Sequence, residues 1–263
     1  MTKPTIALLT DFGTRDHYAG VLKGVVLSIC PDATIVDLSH DLPAHDIPFA
    51  ALELAATYKY FPAGTIFLAV VDPGVGTTRR GLAAEAGDWK FVAPDNGVLT
   101  EVFHEVAPKK VVELTERKYA RPTVSRTFEG RDRFAPAAAW LAKGILLPAL
   151  GRSVSDYHQL ALPRPKIEDG ALVGEIVRLD RFGNVVTNLD RKACEKLAAS
   201  GPLQVTVGGR TIGRIVSTYS DIAAGDLGAL FGSTDHLEFV AHAASAAEVL
   251  GVHVGDGVVV KRG

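Results

Sequence analysis

Short aliphatic runs alternate with amphipathic stretches through the first half of the chain, which predicts a sheet with helices packed on it. Residues 5–9, 34–38, 65–71 and 90–92 read as buried strands, because β-branched residues dominate them and turn residues bound them. Tyr18, Val21, Leu22, Val25 and Ile29 recur at helical spacing and predict a helix over 18–30, with Asp16 as its cap. Segments 46–60, 96–106 and 132–141 carry the same periodicity. The pattern then fades into a Pro-rich stretch, 162–170, that reads as a linker. Beyond it the texture changes to strands at 171–178, 185–188, 203–207, 211–217, 237–240 and 257–261, with Gly208-Gly209 as a hairpin signal. Closely spaced strands of this kind predict a small sandwich or barrel. The expected fold class is α/β: an N-terminal α/β sheet domain with flanking helices over 1–163, then a smaller, mostly β, barrel-like domain over 170–263.

Composition narrows the partners. With 263 residues, 47% of them apolar, the chain can bury one large core or two unequal ones. Its 28 basic and 30 acidic residues are mixed along the chain, so no basic stripe is available for a phosphate backbone, and nucleic acid is not an expected partner. Cys30 and Cys194 are too few and too far apart for a disulfide framework or a thiolate zinc site. No apolar stretch approaches the roughly 20 residues of a membrane helix, and the N-terminus enters a strand pattern without the apolar core of a secretion signal. No membrane contact and a cytoplasmic location are therefore expected. None of the scattered histidines pairs with another at helical zinc-site spacing, so no metal site is expected, and no Gly-x-Ser-x-Gly elbow supports serine catalysis.

Four constellations carry candidate chemistry. Asp11 follows the first strand and precedes a helix, where ligand crevices open; its two oxygens suit a sugar diol, and a turn-forming Asp is the alternative. In Val70-Val-Asp72-Pro-Gly-Val-Gly-Thr-Thr-Arg79-Arg80 a strand ends in a carboxylate and a Gly-rich turn brings guanidiniums back towards it. Such a pair can orient a water and stabilise developing hydroxide, or can simply pin the turn. Arg126-Thr-Phe-Glu129-Gly-Arg131-Asp132-Arg133 reads on pattern alone as a solvated helix start, capped by Asp132 with Arg131 and Arg133 facing water. Asp180-Arg-Phe182-Gly-Asn184 reads as a turn between strands, and also offers an aromatic face, an amide and a carboxylate suited to a purine and an amino group.

Taken together, Thr-Asp11-Phe-Gly, Val-Asp72-Pro-Gly-Val-Gly-Thr, Ala-Pro-Asp95-Asn96-Gly, Thr-Phe-x-Gly-Arg-Asp-x-Phe-Ala-Pro and Asp180-Arg-Phe-Gly-Asn184 resemble the S-adenosylmethionine hydroxide adenosyltransferases, relatives of fluorinases and chlorinases. The resemblance covers nearly the whole chain. It implies hydrolysis of S-adenosylmethionine to adenosine and L-methionine without a further cofactor. It also implies a homotrimer whose sites lie between one subunit's N-terminal domain and its neighbour's C-terminal domain. Asp11 would then hold the ribose diol, and Asp72 and Arg79 would flank the water that attacks C5′. Phe128 and Gly130 would line the substrate. Asp180 would take the methionine amine, Phe182 and Asn184 the adenine, and Ser233 the methionine carboxylate. In the halogenases a tyrosine stands at the position of Asp72, and an anionic Asp would repel halide.

One departure stands out. Hydrolases of this family carry a histidine where this chain has Glu129. Three readings follow: Glu129 serves as base or orienting acceptor, since a carboxylate can take a proton from water and bind Arg79; His45 or another histidine enters the site; or the chain is a binder of S-adenosylmethionine or adenosine without turnover.

Overall fold

The computed structural model describes residues 3–199, 201–213 and 215–263, which divide into two units, Met1–Ala161 and Leu162–Gly263. In the first unit, β1 (Thr5–Thr10) lies between two parallel neighbours, β2 (Thr34–Ser39) and β3 (Ile66–Val70). β3 is followed across the sheet by β5 (Trp89–Pro94), β4 (Gly81–Ala86), β6 (Pro108–Leu114) and β7 (Gly151–Ser153), giving the order β2-β1-β3-β5-β4-β6-β7. The central parallel strands β1 and β3 are apolar on both faces because helices cover both. Ile6, Leu8, Ile66, Leu68 and Val70 face α1 (Tyr18–Ile29) and α4 (Ala135–Ala142); Ala7, Leu9, Phe67, Ala69 and Val71 face α2 (Ile47–Thr57) and α3 (Thr100–Glu105).

Several expected boundaries move. Asp16 does not cap α1: His17 occupies the cap position, and no side chain bonds the first turn. Asp46 does cap α2, accepting from the Phe49 N–H at 2.9 Å. The helix expected over 96–106 is only α3, because Asn96 is drawn into a turn where its Nδ2 donates to the Val71 carbonyl at 2.9 Å. Asp132 is no exposed cap either. It is fully buried inside a π-helical turn, Gly130–Phe134, gripped by Arg131 at 2.7 Å and by the Ser125 N–H at 2.8 Å. β4 and β6 escaped the sequence pattern; β4 is rich in alanine, a weak strand former, and is held in place by two ladders and burial between the helix layers.

The second unit is a single antiparallel path. It comprises β8 (Lys166–Glu168), β9 (Ala171–Leu179), β10 (Val185–Asp190), α5 (Arg191–Ala198), β11 (Leu203–Val207), β12 (Arg210–Ile212), β13 (Leu227–Phe231), β14 (His236–Ala241), α6 (Ala246–Leu250) and β15 (Gly257–Arg262). The order is β12-β11-β15-β9-β10-β14-β13, with β8 on β9. After β12 the chain crosses to the far edge, where Ile215 bridges Ala229 and the Val216 N–H donates to the Ala229 carbonyl at 2.8 Å. The sheet therefore curls into a nearly closed barrel around Ile176, Val185, Val205, Leu237, Phe239 and Val258. The expected 162–170 linker contains β8, and the strand expected over 211–217 is limited to β12 and that bridge. Gly208-Gly209 makes the predicted hairpin, with φ of +55° and +71°.

Candidate active site

β1 and β3 end side by side, with Thr10 paired to Val70, so Asp11 and Asp72 emerge from neighbouring strands at the carboxyl edge of the parallel sheet. Behind Asp11 the chain is fixed from several sides. Thr10 Oγ1 lies 2.8 Å from His40 Nδ1, the Gly13 N–H donates to the His40 carbonyl at 2.7 Å, and Asp37 sits 3.1 Å from His40 Nε2. Burial pushes the Asp37 carboxyl up, but the hydrogen bonds and charges of Lys23 and His40 outweigh it and hold the group below the usual carboxylate range. Asp11 Oδ2 accepts from the His45 backbone N–H at 2.9 Å. The His45 imidazole is 3.9 Å from that oxygen and 74% exposed.

The turn after β3 is tight because Val75 and Thr77 N–H groups fold back onto the carbonyls of Asp72 and Gly74. It returns Arg79 to Asp72 as a fork: Nε donates to Oδ1 at 2.8 Å, and Nη2 bonds Oδ2. The guanidinium also lies over the Phe134 ring, 5.0 Å from its centre. Arg80 points elsewhere, binding Asp95 and Asp156.

Glu129 meets this pair. Its Oε2 is 2.9 Å from Arg79 Nη2 and 3.5 Å from Arg133 Nη1, yet neither N–H is aligned on it, so the atom is buried in a positive field without a hydrogen bond. The following Gly130 packs against the end of β3, where a Cβ would fall 3.1 Å from Val70 Cγ1. Phe128 stands beside Phe12 and Tyr18, with ring centres 5.8 and 5.3 Å away. The first unit thus gathers Asp72, Arg79 and Glu129 at one strand end, with Asp11 just beyond the end of the next strand, Gly130 against Val70 and Phe128 against Phe12 and Tyr18. Arg133 and Phe134 were not foreseen; the four-residue spacing of Glu129 and Arg133 was the available signal.

In the second unit, Asp180, Phe182 and Asn184 share the turn joining β9 and β10. Asp180 Oδ1 accepts from the backbone N–H groups of Phe182 and Asn184 at 2.8 and 2.9 Å, and Oδ2 accepts from Asn184 Nδ2 at 2.8 Å. The carboxylate therefore organises the turn, while the Phe182 ring projects with 79% exposure. Burial pushes nearby Glu238 above the usual carboxylate range, with the charge of Asp180 adding to the shift and Arg178 opposing it. Ser233 is exposed in the turn between β13 and β14, which the register sets beside Asp190, the other end of β10 from Asp180. Among the described residues, no group of three or more His, Cys, Asp or Glu is placed to hold a metal ion, and no helix is long and apolar enough to cross a membrane.

An α/β unit with a carboxylate–guanidinium cluster at the carboxyl edge of its parallel strands is followed along the chain by a barrel-like β unit, which defines a two-domain α/β protein. The chain belongs to the SAM hydroxide adenosyltransferase family, whose N-terminal domain matches residues 6–151 and whose C-terminal domain matches residues 174–259. It is 37% identical to the (R)-S-adenosyl-L-methionine hydrolase of Salinispora tropica, over 99% of this chain and 98% of that protein. It is 39% identical to the enzyme of that name from Thermus thermophilus, over 95% and 96%. The crystal structure of an uncharacterized conserved protein from Thermotoga maritima superposes with a TM-score of 0.93 at 35% identity, covering 98% of this chain and all of that one.

Proposed function

We propose that the chain hydrolyses S-adenosylmethionine to adenosine and L-methionine, with water attacking C5′ in line with the departing sulfur. The observation that carries the reading is the meeting of Asp72, Arg79 and Glu129 at the end of β3, beside Asp11 at the end of β1. The sulfonium leaves as a neutral thioether and needs no acid, so the protein's task is to position the water and stabilise its hydroxide character. Both oxygens of Asp72 are occupied by the Arg79 fork, whereas Glu129 Oε2 has no aligned donor. Glu129 would accept the water's proton as the C–O bond forms and pass it to solvent, while Arg79 would face the attacking oxygen. Asp11 would hold the ribose diol, with Phe128 and Gly130 lining it. The turn bearing Asp180, Phe182 and Asn184 would receive the methionine and adenine ends; Ser233, at the other end of β10, does not join this turn. The site is proposed to be completed in a homotrimer, where a neighbouring subunit supplies these second-unit residues, in the cytoplasm and with no cofactor beyond the substrate.

Incubating the purified protein with S-adenosylmethionine and following adenosine and methionine by chromatography tests the reading. Asp72→Ala and Arg79→Ala should each abolish turnover while adenosine binding stays measurable; full activity in both variants would overturn the assignment. A second reading, a binder without turnover, is motivated by Glu129 itself, and tight binding without product would support it. Added chloride or fluoride should give no 5′-halo-adenosine, since an Asp stands where the halogenases carry a tyrosine; a halogenated product would overturn the hydrolytic reading.

A further inference from the structure

We propose that Arg133 is a positioning residue for the reaction: with Arg79 it holds the Glu129 carboxylate aimed at the attacking water. The inference rests on the hydrolytic reading above. Glu129 sits at the N-terminal edge of the π-helical turn Gly130–Phe134, and Arg133 follows four residues later on the same turn. The Arg133 guanidinium is itself anchored, because Nη2 donates to the carbonyl of Leu114 at the end of β6 while Nη1 faces Glu129 at 3.5 Å. The charges around the carboxylate then balance: Asp72 and Glu129 against Arg79 and Arg133. Without Arg133 the two carboxylates would share one guanidinium, and Glu129 would compete with Asp72 for the Arg79 fork. Leaving buried charge half-compensated in this way is costly, and the cluster would relax by moving Arg79 or Glu129 off the water. Because Arg133 acts through a single carboxylate, its effect must disappear when that carboxylate is removed.

The test compares steady-state hydrolysis by the wild type, Arg133→Leu, Arg133→Lys, Glu129→Gln and the double variant Glu129→Gln/Arg133→Leu. Arg133→Leu should lower kcat roughly tenfold to a hundredfold, the scale of a small misplacement in an active site, with little change in KM. Arg133→Lys should recover much of the loss, and the double variant should be no slower than Glu129→Gln. An unchanged kcat in Arg133→Leu would overturn the proposal, as would an equal fold loss with and without the Glu129 carboxylate. A wild type that makes no adenosine would sink the hydrolytic reading instead. Thermal unfolding of the same proteins still reads the pair in that event: the double variant should lose less Tm than the two single losses added, and strict additivity would overturn the proposal.

Discussion

Both oxygens of Asp72 accept from Arg79, while Glu129 lies in the field of two guanidiniums with its Oε2 unbonded, so the two carboxylates are held differently. The Asp72 and Arg79 pairing was legible in the sequence because a Gly-rich turn can bring residues seven apart face to face. The meeting of Glu129 with Arg79 spans fifty positions and has no local pattern to announce it; only the family resemblance placed the two together. Asp132 is the opposite case, a residue whose local pattern misled. An Asp at an apparent helix start reads as a cap, but here it is an internal counter-ion. Burial raises its carboxyl, yet the Arg131 hydrogen bond, the Ser125 N–H and the charges of Arg131 and Arg121 outweigh burial and hold it below the usual range. A folded value below the unfolded one, about 3.9, gives stability that is complete above that pH and lost as pH falls through the folded value. Asp132→Asn should therefore lower Tm at neutral pH and flatten its decline towards about pH 3. An acid limb identical to that of the wild type would contradict this.

At the scale of elements, the strand-end turns do the positioning. Gly76 sits in the 72–79 turn at φ +78°, and a Cβ there would lie 2.2 Å from the Arg126 carbonyl oxygen. The segment leading to Glu129 is thus seated directly on the turn that carries Asp72 and Arg79. Gly76→Ala should cost about 1–3 kcal/mol of stability from the strained φ and should depress kcat as well by prising the two segments apart. Gly74→Ala is the control, since its Cβ would make ordinary contacts no closer than 3.4 Å and both properties should change little. Equal effects of the two substitutions would contradict a clamp at Gly76. The parallel core strands were readable because they are apolar on both faces and rich in β-branched residues. β4 and α5 were not: β4 is a run of small residues stabilised by its neighbours, and α5 is an eight-residue helix started by Asp190, which accepts from the Ala193 N–H at 2.7 Å within a β-rich region.

For the whole molecule, the change from mixed helical and strand periodicity to closely spaced strands foretold an α/β unit followed by a barrel-like one. Closure of the barrel was not readable, because it depends on the Ile215 to Ala229 bridge between the two ends of the strand path. The Phe182 ring projects from its turn and is exposed. If a neighbouring subunit completes each site, light scattering should report three chain masses, and Phe182→Ser should weaken substrate binding more than it slows a bound turnover. A fully active monomer would contradict the shared site.

The proposed nucleophile at C5′ is water from solvent. This is tested most directly by running the reaction in heavy-oxygen water and weighing the products. Adenosine should carry the heavy atom in its 5′-hydroxyl and appear in step with unlabelled L-methionine, and Asp72→Ala should give no product. Adenosine without the label, or S-adenosylmethionine recovered intact after prolonged incubation, would contradict it.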